Sequence, residues 1–182
     1  MTVCVPAIPP VRVPAPGGIA LWLIDLTPPV PAGWQSALGR DENLRAQRFR
    51  FEQDRRRYIN SHIALRSTLA EQTGHVSMNL PLSTQPHGKP CLTGMAIEFN
   101  LSHSGDWALL GISRHGPIGV DIEMIAPVPN MAELTAQNFT VSEQMQWADT
   151  PGAAQLETFM RGWTRKEACL KALGSGLSIE PH

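Results

Sequence analysis

Cysteine is scarce in this 182-residue chain, and the few present stand apart. Cys4, Cys91 and Cys169 are odd in number and far from one another, which suits neither a disulfide framework nor a zinc-ligand spacing. A reducing compartment is the expectation. Net charge is nearly missing too: 15 Lys and Arg against 16 Asp and Glu leave −1. No overall field then steers the chain toward nucleic acid or membrane, and any anion site must be local. Long apolar runs are lacking, so no segment reaches membrane-spanning length. The N-terminus has neither the basic start nor the continuous apolar core of a signal peptide. These absences point to the cytoplasm, with neither nucleic acid nor membrane as partner. The length suffices to bury a core, in one domain or two small halves.

The chain carries clear organising signals. Residues 1–18 are rich in proline and read as a loose arm or an edge segment. Ile19 to Leu26 is a buried-strand candidate. From about Asp41 to Gln72 the pattern is helical, with a break near Phe51 and a high density of arginine, and Gly74 suits a C-cap. A turn-rich stretch with Pro81, Pro86, Gly88 and Pro90 follows. Ala96–Leu101, Trp107–Ser113 and Ile118–Ile125 then read as an antiparallel meander. Helices are expected from about Asn130 to Gln137, Ser142 to Trp147 and Ala153 to Leu173, with Ser142 as an N-cap and Gly174 and Gly176 closing the last.

The final helix poses a chemical question. At 3.6 residues per turn, Leu156, Phe159, Met160, Trp163 and Leu170 form one stripe, and Glu167 falls within roughly 20° of its centre. A bare carboxylate buried there costs several kcal/mol, so it must be paired, protonated or bound to a cation. Lys171 follows at i+4, which is either an ordinary helical ion pair or a cation aimed at a bound phosphate. In Gly119-Val120-Asp121-Ile122-Glu123, strand alternation sends Val120 and Ile122 to the core and brings Asp121 and Glu123 out together. The pair is either a polar outer face or a site for one hard cation such as Mg²⁺; adding Glu167 makes a three-carboxylate set.

Three weaker signals accompany these. Asn100-Leu101-Ser102-His103-Ser104 lies at a strand end, in a loop, without the strand–elbow–helix pattern of a hydrolase. It is either a phosphate or nucleotide contact or a set of local hydrogen bonds. Gly88-Lys89-Pro90 presents a lysine on a turn, with no P-loop spacing. The arginines of residues 45–57 form either a solvated helix face or a phosphate-recognising group.

In this order, Gly88-Lys89-Pro90, Phe99 through Ser104, Ile118 through Glu123, and Trp163 through Gly176 with Lys166, Glu167 and Lys171 resemble the 4′-phosphopantetheinyl transferases of the surfactin-synthetase-activating type. The resemblance runs from about Leu21 to Ser178. It implies an α+β fold of two similar halves about a pseudo-twofold axis, here 1–115 and 116–182, with coenzyme A in the cleft between them. It implies an enzyme that moves the phosphopantetheine arm of coenzyme A onto a serine of an apo acyl or peptidyl carrier protein and releases 3′,5′-ADP. A coenzyme A or carrier-binding module without catalysis is the alternative. By resemblance, Asp121, Glu123 and Glu167 match magnesium ligands, and Lys171 matches a lysine near the phosphates. Ser102 and His103 match residues that hold the 3′-phosphoadenosine, while Gly88, Lys89 and Pro90 match a turn at the adenine and ribose. Arg45 and Arg57 stand where the family has basic residues for the 3′-phosphate. Glu143 matches a glutamate that deprotonates the attacking serine, a role for which metal-bound water is the alternative. Apolar residues between Pro127 and Trp147 would lie where carriers dock. The second half of such a fold continues past its long helix with further strands, so the chain reads either as truncated or cleaved after that helix or as completed by strands from elsewhere, and a monomer is expected unless a partner supplies them.

Overall fold

The computed structural model describes residues 6, 8–76, 80–85 and 88–174. Its centre is a four-stranded antiparallel sheet in the order β1 (Val11–Val13), β2 (Ile19–Asp25), β6 (Trp107–Ser113), β5 (Glu98–Ser104). The N-terminal arm thus supplies an edge strand, as its composition suggested. Ser104 pairs with Trp107 across a two-residue turn, and Gly105 takes the positive φ of 56° that the reversal needs. Strand alternation fixes which side chains share a face. Trp22 and Ile24, Ala108, Leu110 and Ile112, and Phe99 form one face, buried against Ala64, Leu65 and Leu69. Those three belong to α2 (Glu52–Thr73), which is separated from α1 (Arg40–Gln47) by the expected break and is closed by Gly74 at φ 71°. Each such aliphatic side chain contributes roughly 1.5–3 kcal/mol by leaving water. A second cluster packs Trp34, Ala37, Leu38 and Ala46 against Tyr58, Ile59 and Ile63 of α2.

The other face of the sheet is covered differently. Residues 117–128 form neither strand nor helix. The third member of the expected meander, Ile118–Ile125, is therefore not a strand, and β6 pairs with β2 instead. The reason lies in β5. Asn100, Ser102 and Ser104 share the outer face, and their side chains take the bonds that a ladder would use. Val120 N donates to Asn100 Oδ1 (2.9 Å), and Met124 N donates to Ser104 Oγ (3.1 Å). Ile118 and Val120 still bury their side chains, over Gly111, where an added Cβ would lie 2.5 Å from Val120 Cγ1 and 2.8 Å from Ile118 Cδ1.

Outside this segment lies α5 (Gly152–Leu173). A Cβ on Gly119 would overlap the Ala168 carbonyl oxygen and the Ala172 nitrogen, so the helix backbone rests directly on this glycine. α3 (Met131–Asn138) and α4 (Val141–Ala148) precede it. Thr140, not Ser142, is the N-cap of α4: Glu143 N donates to Thr140 Oγ1 (3.4 Å) and Thr140 N donates to Glu143 Oε2 (2.8 Å). Phe139 meets Phe159 edge to face at 5.5 Å and fills the space that Gly162 leaves open on α5. Gly174 closes α5 at φ 69°; Gly176 lies outside the described residues, as does Cys4. Between α2 and the sheet's last strands, β3 (Leu82–Thr84) and β4 (Pro90–Leu92) form a separate hairpin.

Candidate active site

The sequence-derived residues fall into three groups, two of which touch. The first is the carboxylate segment. Asp121 Oδ1 accepts from Ser102 Oγ (2.9 Å) and is ion-paired with Lys171 Nζ, which also reaches Ser102 Oγ (3.1 Å). Strand alternation predicted an emerging Asp121, yet its side chain is only 1% exposed, because the segment folds down onto β5 rather than continuing the sheet. Asp121 Oδ2 is buried with no hydrogen-bond partner. A buried, unpartnered carboxylate oxygen is costly unless something satisfies it. Glu123 is exposed and accepts from Ser104 Oγ (2.7 Å), and Glu167 is half-buried on α5 one turn before Lys171. Among the described residues, no three Asp, Glu, His or Cys stand close enough to form a ready metal cluster. Carboxylate oxygens are donors of the kind that suits a hard cation, and Asp121 Oδ2 is an oxygen that could receive one.

The second group is basic. Arg45, Gly88 and Pro90 line one cavity of about 550 Å³ with Arg40, Glu42, Tyr58, His62 and Arg66. Arg45, Arg57 and His103 line a smaller one, of about 260 Å³, that shares Arg45 and Tyr58 with the first. Ser102 and His103 lie within β5, not in a loop: Ser102 faces the carboxylate segment, and His103 faces the arginines. Desolvation and the positive charges of His62, Lys171 and Arg45 push the His103 imidazole below its ordinary range, against the pull of Glu123. His103 therefore senses both groups. The Arg57 guanidinium is already held by Asp106 (2.9 Å) and Asp54 (3.5 Å), which reduces the charge it can offer a ligand.

Lys89 departs from its turn-lysine reading. It is buried, 9% exposed, and does not face solvent. Glu143 forms the third group, on α4. Its Oε2 accepts from Thr140 and pairs with Lys166 (2.9 Å), whose ammonium also stands over the Phe139 ring. Burial acts to raise the Glu143 carboxyl, but the bonds from Lys166 and Thr140 outweigh it and hold it below the ordinary range.

Sequence reasoning missed the floor of the larger cavity. Glu42 accepts from His62 Nδ1 (2.8 Å), from Arg66 Nε (2.6 Å) and from Gly39 N (2.7 Å). The available signal was Tyr58, His62 and Arg66 at i, i+4, i+8, which share one helix face. Burial acts to raise Glu42, but the bond and charge of His62, the Gly39 amide and Arg66 together keep it lowered from 4.5. A depressed carboxyl stabilises the fold fully above its unfolded value, and that contribution is lost as pH falls through the folded one. Glu42→Gln should lower stability at neutral pH by about 2 kcal/mol and flatten its dependence below about pH 4.5. Urea titrations of both proteins across the acid range measure this; parallel curves would exclude Glu42 as the titrating group.

The comparisons with known proteins agree in kind with this geometry. Residues 117–182 match the family model of the 4′-phosphopantetheinyl transferase superfamily, and residues 28–115 match that of the 4′-phosphopantetheinyl transferase N-terminal region. A relative from Synechocystis is 35% identical over 161 residues, 87% of this chain and 65% of the relative. The 4′-phosphopantetheinyl transferase HetI of Nostoc is 33% identical over 166 residues, 88% of this chain and 70% of HetI. The 4′-phosphopantetheinyl transferase Sfp of Bacillus subtilis is 29% identical over 147 residues, 80% of this chain and 64% of Sfp. The chain belongs to the 4′-phosphopantetheinyl transferase superfamily, and its fold is α+β. It spans about two thirds of the length of these relatives. Among the described residues, no helix is long and apolar enough to cross a membrane.

Proposed function

We propose that the chain transfers the 4′-phosphopantetheine arm of coenzyme A to a serine of an apo acyl or peptidyl carrier protein, with 3′,5′-ADP as the other product. One observation carries this most: Ser102, Asp121 and Lys171 converge at the sheet surface, on the strand whose next residue, His103, borders the smaller arginine-lined cavity. Cleaving a pyrophosphate needs its charge neutralised and its attacker held in line. In this reading the nucleotide end of coenzyme A enters the cavity of Arg45, Gly88 and Pro90. Arg45 and Arg57 face its 3′-phosphate, and Lys171 leaves Asp121 to meet the pyrophosphate. His103 stands beside the same phosphates, where a protonated imidazole would add charge at close range. Asp121, Glu123 and Glu167 would hold magnesium, which supplies further neutralisation of phosphate oxygens when bound.

Glu143 is the candidate base for the carrier serine. Its lowered carboxyl keeps it ionised, though a depressed pKa also makes it a weak acceptor. The exposed side chains of Val141 and Met145 on the same helix offer apolar surface on which a carrier would dock. The reading takes 1–115 and 116–182 as its two halves and puts the reaction where residues 118–124 lie on β5, in the cytoplasm.

The deciding experiment incubates the chain with apo carrier, coenzyme A and Mg²⁺ and weighs the carrier. Transfer adds one arm. Tight coenzyme A binding by calorimetry with no mass gain on several carriers would replace the transferase by a binding module. Within an active protein, Glu143→Gln should lower kcat by roughly 10²-fold while leaving the KM for coenzyme A in place. An unchanged kcat would take Glu143 out of proton transfer and leave it a helix cap.

A further inference from the structure

Lys89 belongs to the turn between β3 and β4, and its neighbours Gly88 and Pro90 line the larger cavity. Its own ammonium goes elsewhere. Nζ donates to the Ile118 carbonyl (3.0 Å) and to the Ala172 carbonyl (3.2 Å). The first opens the segment that carries Asp121 and Glu123. The second lies in the last turn of α5, beside Lys171. The final carbonyls of a helix have no partner within it, and a cation there is favourable. Both bonds form at the crossing where α5 rests on Gly119, so three elements are joined within a few residues. Burial of the ammonium lowers its pKa against the pull of the Glu98 carboxylate.

We propose that Lys89 is a positioning residue of the transfer reaction, fastening the carboxylate segment to the helix end that bears Lys171 and linking both to the nucleotide cavity through Gly88 and Pro90. It is not a ligand of the nucleotide. The inference rests on the transferase reading, and it alters one part of it: the lysine of the Gly-Lys-Pro turn acts through backbone carbonyls.

Two measurements test it. In the unmodified protein, pulse acetylation followed by peptide mass analysis reads the reactivity of each lysine. Lys89 should label slowly with or without 3′,5′-ADP. Rapid labelling that 3′,5′-ADP blocks would overturn the proposal, whatever the folding of any variant. In Lys89→Met, 3′,5′-ADP affinity by calorimetry should stay within about twofold, while kcat falls by roughly 10²-fold and the Mg²⁺ concentration for half-maximal rate rises. Lys89→Arg, which keeps donors at this place, should recover most of the lost kcat. A loss of about tenfold or more in 3′,5′-ADP affinity with kcat preserved would make Lys89 a ligand instead, and unchanged kinetics would leave it no role. Wild-type transfer is run alongside. Its absence would overturn the transferase reading, while the labelling result still decides where the Lys89 ammonium lies.

Discussion

Asp121→Asn should abolish transfer, lowering kcat/KM by about 10³-fold, while the protein remains folded. The substitution keeps the shape of the side chain and the bond from Ser102, so packing under α5 is preserved. What it removes is charge. The unpartnered Oδ2, the only oxygen of Asp121 free to meet a cation, becomes an amide or a weakly basic carbonyl. Lys171, 32% exposed, loses its counter-ion but keeps access to water, so the stability cost stays near 1 kcal/mol. Mass analysis of the carrier gives the rate, and a thermal melt gives the fold. Activity within about threefold of the parent protein would remove Asp121 from the site and, with it, the cation assigned to that oxygen.

Gly119→Ala should be the most damaging small change to stability. The added methyl cannot be met by a side-chain rotation, because both atoms it strikes, the Ala168 oxygen and the Ala172 nitrogen, are backbone of α5. Either the helix lifts or the segment sinks into the Ile118–Val120 layer over Gly111. Overpacking of this kind costs about 3 kcal/mol, or roughly 6–12 °C in melting temperature for a chain of this size. The same displacement would separate Lys171 from Asp121, so activity should fall further than the melt alone explains. A melting temperature within about 2 °C of the parent would show that the helix can ride higher at no cost.

The contrast between these sites shows where sequence was readable. The β2 strand, the break between α1 and α2, Gly74, Gly174 and the three late helices follow from periodicity and capping, which are local. Ile118–Ile125 failed because alternation alone cannot say whether a neighbouring edge offers backbone or side-chain partners. Asn100, Ser102 and Ser104 decided that, from some twenty residues away. Asp121 was singled out on a geometric ground that the structure contradicts, since its side chain is buried rather than emergent. Lys89 was placed in the right turn with its ammonium in the wrong direction: nothing in Gly-Lys-Pro encodes the Ile118 and Ala172 carbonyls that receive it. Glu42, His62 and Arg66 went unseen because each alone is an ordinary helix residue, and only the packing of α1 on α2 makes them one network.

The side-chain tethers of residues 118–124 have a further consequence. A strand zipped by backbone is removed only by opening the sheet beside it, since every amide of the ladder depends on its neighbours. This segment is moored at separate points, by Asn100, Ser102 and Ser104, none of which the β5–β6 hairpin needs for its own pairing. Its first residues are held as well by Lys89 on the Ile118 carbonyl and by α5 on Gly119, so the part from Asp121 onward depends most on these side chains. Point changes at three polar positions can therefore retune how the carboxylates sit while the backbone pairing of β5 with β6 stays in place.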